Sequence, residues 1–187
     1  PYLLFFKKYN QAINQKQKNI DAISISSYNP GKKEVDSRFV NLKLIDKNDF
    51  IFFTNYNSPK AKAFDLSKQI SALFFWSSIN TQIRIKATIK KTSVQFNDKY
   101  FKERQADKNA IAISSRQSRA ISSYDLVIKN FKEAKESQNL LKCPEYWGGY
   151  AFTPYEIEFW EGNDFRINKR DLYSKSDNTW QHCILEP

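Results

Sequence analysis

The 187-residue sequence predicts an α+β fold, mainly antiparallel β, whose strands close into a barrel with helices at its periphery. Three observations predict it. Along Gln82 to Ile89, apolar Ile83, Ile85, Ala87 and Ile89 alternate with Gln82, Arg84, Lys86 and Thr88, the period of a strand with one buried and one wet face. Turn chemistry at Tyr28-Asn29-Pro30-Gly31-Lys32, Glu161-Gly162-Asn163-Asp164 and Ser176-Asp177-Asn178 separates short apolar runs at hairpin distances. The elements run as a helix, then strands with helices inserted, then a closing set of strands, and closure into a barrel removes exposed sheet edges.

Taken in order, Leu3 to Lys18 reads as a helix, because Leu4, Phe5, Tyr9, Ala12 and Ile13 fall on one face. Asp21 to Ser27 and Ser37 to Ile45 read as the two strands of a hairpin, and Phe50 to Thr54 as a third strand. Ser58-Pro59 opens a short helix through Lys68, since proline is tolerated at the first helical position. Ile70 to Trp76 and Thr81 to Ser93 form a second strand pair. Tyr100 to Arg104 turns helical, and Tyr124 to Ser137 is an amphipathic helix with Leu126, Val127, Phe131 and Ala134 inward. Tyr150 to Trp160, Arg166 to Tyr173 and Thr179 to Leu185 close the chain as strands. No repeat and no Pro, Gly or Ser-rich linker divides residues 1–187, so they read as one domain.

Hydrophobic content of 41%, with 16% aromatic, supplies a core. No apolar run approaches the roughly 20 residues of a membrane helix, so no membrane partner is expected. The first residue is proline and methionine is absent, which leads us to expect further residues upstream in the gene product. Cys143 and Cys183 are far apart and outside any C-x-x-C, so no disulfide framework or zinc site is indicated and a reducing, cytoplasmic setting is expected. The net charge of +10 comes from scattered lysines rather than a basic block, which argues against dedicated nucleic-acid binding but favours small anions. A single histidine, His182, excludes mechanisms that need two imidazoles. There is no G-x-x-x-x-G-K-[ST] and no G-x-G-x-x-G, so any phosphate must be held largely by side chains.

The stretches Ser37-Arg38-Phe39-Val40-Asn41-Leu42-Lys43, Phe52-Phe53-Thr54-Asn55, Ser58-Pro59-Lys60-Ala61, Gln82-Ile83-Arg84, Tyr100-Phe101-Lys102-Glu103-Arg104, Ser115-Arg116-Gln117-Ser118, Tyr146-Trp147-Gly148-Gly149, Ile157-Glu158-Phe159-Trp160 and Arg166-Ile167-Asn168-Lys169-Arg170 occur in one order across nearly the whole chain. Together they resemble the pyridoxamine 5'-phosphate oxidase family. The resemblance implies an FMN-binding split β-barrel acting as a homodimer with shared active sites, its dimerisation strands at about 146–187. It implies FMN as cofactor, held by Arg38, Lys43, Phe53, Thr54, Lys60, Gln82, Gln117, Ser118, Trp160 and Arg170. It further implies a phosphorylated pyridine substrate contacted by Lys43, Tyr100, Arg104, Lys108, Arg166 and Asn168, with Arg166 covering the ring as the catalytic contact, and no metal.

Departures from the family pattern bear on activity. Pro59 stands where a flavin-phosphate arginine is usual, Lys108 where a serine is usual, Asn168 where a histidine is usual and Phe53 where a tyrosine is usual; Lys62 could compensate for Pro59. Arginine grips phosphate with a planar fork, whereas lysine offers a point charge. Asn168 can hydrogen-bond but cannot titrate. The expected reaction is oxidation of pyridoxamine or pyridoxine 5'-phosphate to pyridoxal 5'-phosphate, with dioxygen as acceptor and hydrogen peroxide released. The competing readings are a related flavin enzyme with another substrate, of phenazine-pathway or flavin-reductase type, and a flavin-binding module without turnover.

Overall fold

The computed structural model describes residues 1–187. Nine strands form one antiparallel sheet, β1 (Ala22–Asn29), β2 (Glu34–Asn41), β3 (Leu44–Asp46), β4 (Asp49–Asn55), β5 (Gln69–Trp76), β6 (Thr81–Lys91), β7 (Trp147–Glu161), β8 (Lys169–Ser176) and β9 (Thr179–Ile184). Five helices accompany them, α1 (Tyr2–Asn14), α2 (Pro59–Ser67), α3 (Val94–Glu103), α4 (Ala106–Ser114) and α5 (Tyr124–Ser137). The strand order is β2-β1-β5-β6-β7-β4-β3, with β8 added on β7 and β9 on β8.

The 15-residue strand β7 organises the sheet. One edge pairs with β6 along its length, and the other is divided: Trp147 to Phe152 pair with β4, and Glu156 to Glu161 pair with β8. A register shift between Lys86 and Ala87 marks a bulge opposite the changeover, where an extra residue bends a strand. The sheet curls around a core in which Phe50, Phe52, Phe74, Trp76, Ile83, Ile85, Tyr150, Phe152 and Phe159 are almost fully buried. Helix α1 inserts Phe5 and Ala12 into this core, and α2 adds Ala61 and Phe64.

The alternation read along β6 is as expected: Ile83, Ile85, Ala87 and Ile89 are buried, and Arg84, Lys86 and Thr88 are exposed. Several boundaries differ. The strand expected from Ser37 to Ile45 is two, broken at Leu42-Lys43, because Leu42 N–H turns to the Asp21 carbonyl and Lys43 N–H to the Ile51 carbonyl. Arg166 is not in a strand; it lies in the loop before β8 with φ 62°, held by its N–H donating to the Asn163 carbonyl. The helix α4 is absent from the sequence-based expectation. At α2, Ser58 and Pro59 do occupy N-cap and first-turn positions, but the buried Ser58 hydroxyl caps no backbone N–H and instead lies 3.4 Å from Lys60 Nζ. No helix is long and apolar enough to cross a membrane.

Candidate functional site

A cavity of about 680 Å³ opens between the β2–β3 break, β4 and the α3–α4 junction. Lys43, Phe53, Thr54, Lys60, Tyr100, Arg104, Lys108 and Gln117 all line it, so eight of the residues singled out from the sequence converge here. A second cavity of about 230 Å³ adjoins it and shares Phe53, Thr54, Arg104, Lys108, Gln117 and Trp147.

The floor is aromatic. Phe53 stacks on Tyr100 with ring centroids 3.8 Å apart and planes 7° from parallel, and on Trp147 at 5.0 Å and 11°. These near-parallel rings pack on one another as one wall of the cavity. Trp147 is also the platform for Arg104, whose guanidinium lies 4.4 Å from the ring centroid in cation–π contact. The strand start that carries Trp147 is tightly held: a Cβ on Gly148 would come 2.1 Å from Tyr56 Oη, so only glycine fits. Sequence reasoning quoted Trp147 within a motif but assigned it no role; the Gly148-Gly149 pair beside it is the signal of close approach that could have drawn attention.

Cations surround this floor. Lys43, Lys60, Arg104 and Lys108 line the cavity, and none is ion-paired; Glu103 is the one lining carboxylate. Arg104 is not on the same helix as Tyr100, as the four-residue spacing suggested: α3 ends at Glu103 and Arg104 is extended at ψ 156°. Both still reach the cavity. Arg104 Nη2 donates to the Lys108 carbonyl at 3.1 Å, while Nη1 is buried with no partner. Such a donor is costly to leave unmatched, and its presence in a cavity wall marks a place for an acceptor.

Lys60 is buried, and burial followed by repulsion from Arg38 lowers its pKa to about 8. Asp36, which pairs with Arg38, offsets only one of these two charges, so net positive charge remains beside Lys60. Arg38 is less free than its sequence position suggested: Nη1 donates to Ser27 Oγ at 2.9 Å and to the Ile25 carbonyl at 3.3 Å, and Nη2 pairs with Asp36. Gln117 Oε1 accepts from Thr54 Oγ1 at 3.1 Å and from Asn55 N–H at 3.3 Å, tying the 115–123 segment to β4. Burial raises the Tyr100 pKa, so its phenol remains a proton donor at neutral pH.

The remaining expected residues do not line the cavity. Ser118 faces a different hollow, beside Arg116 and Arg119, with φ 66°. Gln82, Trp160 and Arg170 are cross-strand neighbours on β6, β7 and β8. Arg170 there donates to Glu158 at 2.8 Å and to the Glu186 carbonyl at 2.9 Å. Arg166 is exposed, and Asn168 Oδ1 accepts from Asn163 N–H at 3.1 Å, bracing the loop. Lys62 is exposed on α2 and lines none of the cavities described here.

The curled antiparallel sheet with its peripheral helices is the fold of the FMN-binding split-barrel proteins. The fold superposes on PhzG from Burkholderia lata 383, solved in complex with tetrahydrophenazine-1-carboxylic acid, with TM-score 0.94, 24% identity and coverage of 100% of this chain and 92% of that one. It also superposes on a pyridoxamine 5'-phosphate oxidase-related, FMN-binding protein from Nostoc punctiforme with TM-score 0.82, 12% identity and coverage of 100% and 97%. Residues 147–187 match the pyridoxine 5'-phosphate oxidase C-terminal dimerisation region. Across its full length the chain is 33% identical to pyridoxine/pyridoxamine 5'-phosphate oxidase 1 of Hydrogenovibrio crunogenus, spanning 88% of that protein. It is 36% identical to the enzyme of that family from Aliarcobacter butzleri, spanning 89% of it. The chain belongs to the pyridoxine/pyridoxamine 5'-phosphate oxidase family.

Proposed function

We propose that this protein is an FMN-dependent oxidase that converts pyridoxamine or pyridoxine 5'-phosphate to pyridoxal 5'-phosphate. The observation that carries the reading is the convergence, in one cavity, of four unpaired cations on a parallel aromatic floor, with a buried Arg104 N–H lacking an acceptor. A bound flavin, held by these residues, would supply the hydride acceptor for the substrate carbon and the route for reoxidation by dioxygen to hydrogen peroxide.

The chain's own residues bind and orient. Lys60 and Arg38 supply charge for the flavin phosphate, and Thr54 and Gln117 line the wall beside them. Lys43, Tyr100 and Arg104 anchor the substrate phosphate, so that binding energy from this remote group orients the reacting carbon. No residue of this chain is assigned as an obligatory general base.

Of the expected residues outside the cavity, we assign the loop around Arg166 to the site of a second copy. A two-fold dimer sets the interface residues of each copy against the other, so the exposed loop carrying Phe165, Arg166 and Ile167 can complete the cavity of the partner. The match of residues 147–187 to a dimerisation region supports this reading.

The purified protein should be yellow and dimeric, bind FMN about one per chain, and release peroxide with pyridoxine 5'-phosphate. A colourless monomer that takes up no added flavin refutes the cofactor and the dimer together. A flavin-loaded dimer that yields no peroxide with either phosphorylated vitamer transfers the chain to another substrate on the same barrel.

A further inference from the structure

Asn97 lies in the middle of α3, one turn before Tyr100 and Phe101, and is only 4% exposed. A buried carboxamide needs partners at both ends, and this one has them. Its Oδ1 accepts the Gly149 N–H at 2.9 Å and the Thr92 hydroxyl at 2.5 Å, and its Nδ2 donates to Tyr56 Oη at 3.0 Å. Tyr56 Oη in turn donates to the Gly149 carbonyl at 3.1 Å. The amide enters where Gly148 has no side chain: a Cβ there would come 2.4 Å from Asn97 Nδ2. Asn97 lines neither of the two adjoining cavities. We propose that Asn97 is a positioning residue: its amide bridge holds α3 against the start of β7 and so fixes Arg104 where the substrate phosphate is bound. The proposal rests on the oxidase reading for the place of that phosphate and adds a residue that touches no ligand.

The position of Arg104 depends on two elements far apart in the chain. Arg104 directly follows α3, yet its guanidinium rests on Trp147 of β7, 4.4 Å from the ring centroid. Tyr100 of α3 and Trp147 of β7 also both stack on Phe53, at 3.8 and 5.0 Å. Any slip of α3 along β7 therefore moves the arginine off its platform. Phe101 packs edge-on against Trp147 at 5.0 Å, but apolar contact is non-directional and tolerates sliding. Hydrogen bonds weaken steeply with angle, so a carboxamide bonded at both ends resists translation and rotation together. Because the bridge is buried, removing the amide leaves the Gly149 N–H without that acceptor, and the two elements must shift to satisfy it.

The test titrates pyridoxal 5'-phosphate into the flavin-loaded protein for wild type, Asn97→Ala, Asn97→Asp and Tyr56→Phe, each alone and combined with Arg104→Ala. Steady-state kinetics with pyridoxine 5'-phosphate run beside it. Asn97→Ala should raise the dissociation constant and KM about fivefold, the worth of one ordinary hydrogen bond, and leave kcat and FMN affinity within about twofold. In the Arg104→Ala background the same substitution should weaken binding no further, because its influence passes through the guanidinium. Asn97→Asp keeps the acceptor for the Gly149 N–H and can take the Tyr56 hydroxyl proton on its other oxygen, so it should stay within about twofold of wild type. Tyr56→Phe removes one link while keeping the ring beneath Lys91 Nζ, and should lose about threefold, again only when Arg104 is present. It decides the matter if Asn97→Ala does not fold. The positioning role is overturned if Asn97→Ala binds pyridoxal 5'-phosphate as wild type does, or if the loss persists without Arg104. It is equally overturned if kcat or FMN affinity falls as far as KM rises, or if wild type binds no pyridoxal 5'-phosphate. If wild type gives no peroxide with either vitamer yet the loss appears and vanishes with Arg104, the positioning role stands and the oxidase reading alone falls.

Discussion

The outer face of β6, β7 and β8 and the floor of the cavity carry similar positive charge and treat it in opposite ways. On the outer face the arginines and the lysine of the cluster each have an acid: Arg84 and Arg170 share Glu158 at 3.5 and 2.8 Å, and Lys86 meets Glu156 at 2.9 Å. In the cavity Lys43, Lys60, Arg104 and Lys108 have none, although Lys60 and Arg104 are the more thoroughly desolvated. Paired charges hold a structure together; unpaired, partly buried ones are a standing cost that a ligand's anion relieves. The difference teaches which of the chain's many basic residues are committed to the fold and which to a ligand.

Removing Arg104 should break the comparison most severely on the cavity side. Arg104→Ala is expected to raise KM for pyridoxine 5'-phosphate by about 10- to 100-fold, the range of a hydrogen bond to a charged group, with a smaller change in kcat because the phosphate is held before and during the reaction. Steady-state peroxide assays check it; a kcat loss at unchanged KM would place Arg104 in the chemical step instead.

Lys60 should show the standing cost directly. Lys60→Met removes a buried charge, so thermal unfolding of the flavin-free protein should move to higher temperature while FMN affinity falls about tenfold. The pH dependence has a definite sign. With a folded pKa of about 8 against an ordinary 10.5, the unfolded chain binds more protons between these values, so this group makes the flavin-free protein gain stability as pH rises from about 8 toward 10.5. Over the same window Lys60 loses the charge that attracts phosphate, so FMN should bind more weakly above pH 8. Lys60→Arg should flatten that dependence, which a flavin titration at pH 7 and pH 9.5 would show.

On the paired face the effects should be smaller and confined to stability. Glu158→Gln leaves Arg84 and Arg170 without their shared charge and should cost about 1 kcal/mol in urea unfolding, with pyridoxal 5'-phosphate affinity of the cavity unchanged. Lys86→Ala, at an exposed pair, should fall within about 0.5 kcal/mol of wild type.

How much of this was legible depended on the range of the interactions. Strand β6 could be read because its alternation is local, whereas the eight cavity residues were assigned only through the resemblance to the family. The break at Leu42-Lys43 could not, since it is made by carbonyls of Asp21 and Ile51 distant in sequence. Nor could the fixing of Arg104, which leaves its helix to lie on Trp147, 43 residues on. Spacing alone placed Arg104 and Tyr100 on one helical face; in the fold Tyr100 stacks on Phe53, Phe53 stacks on Trp147, and Arg104 lies over Trp147. Arg166 illustrates a further limit: a left-handed φ at a non-glycine residue leaves no signature in composition, and its place in the site depends on the proposed partner copy.

The most direct measurement of whether these unpaired cations serve a flavin and a pyridine phosphate together is an absorption spectrum of the flavin-loaded dimer, recorded without oxygen before and after pyridoxine 5'-phosphate is added. The account predicts that the yellow flavin band bleaches and returns when air is admitted, with peroxide formed in step. A flavin band that is unchanged by saturating amounts of both phosphorylated vitamers would contradict it.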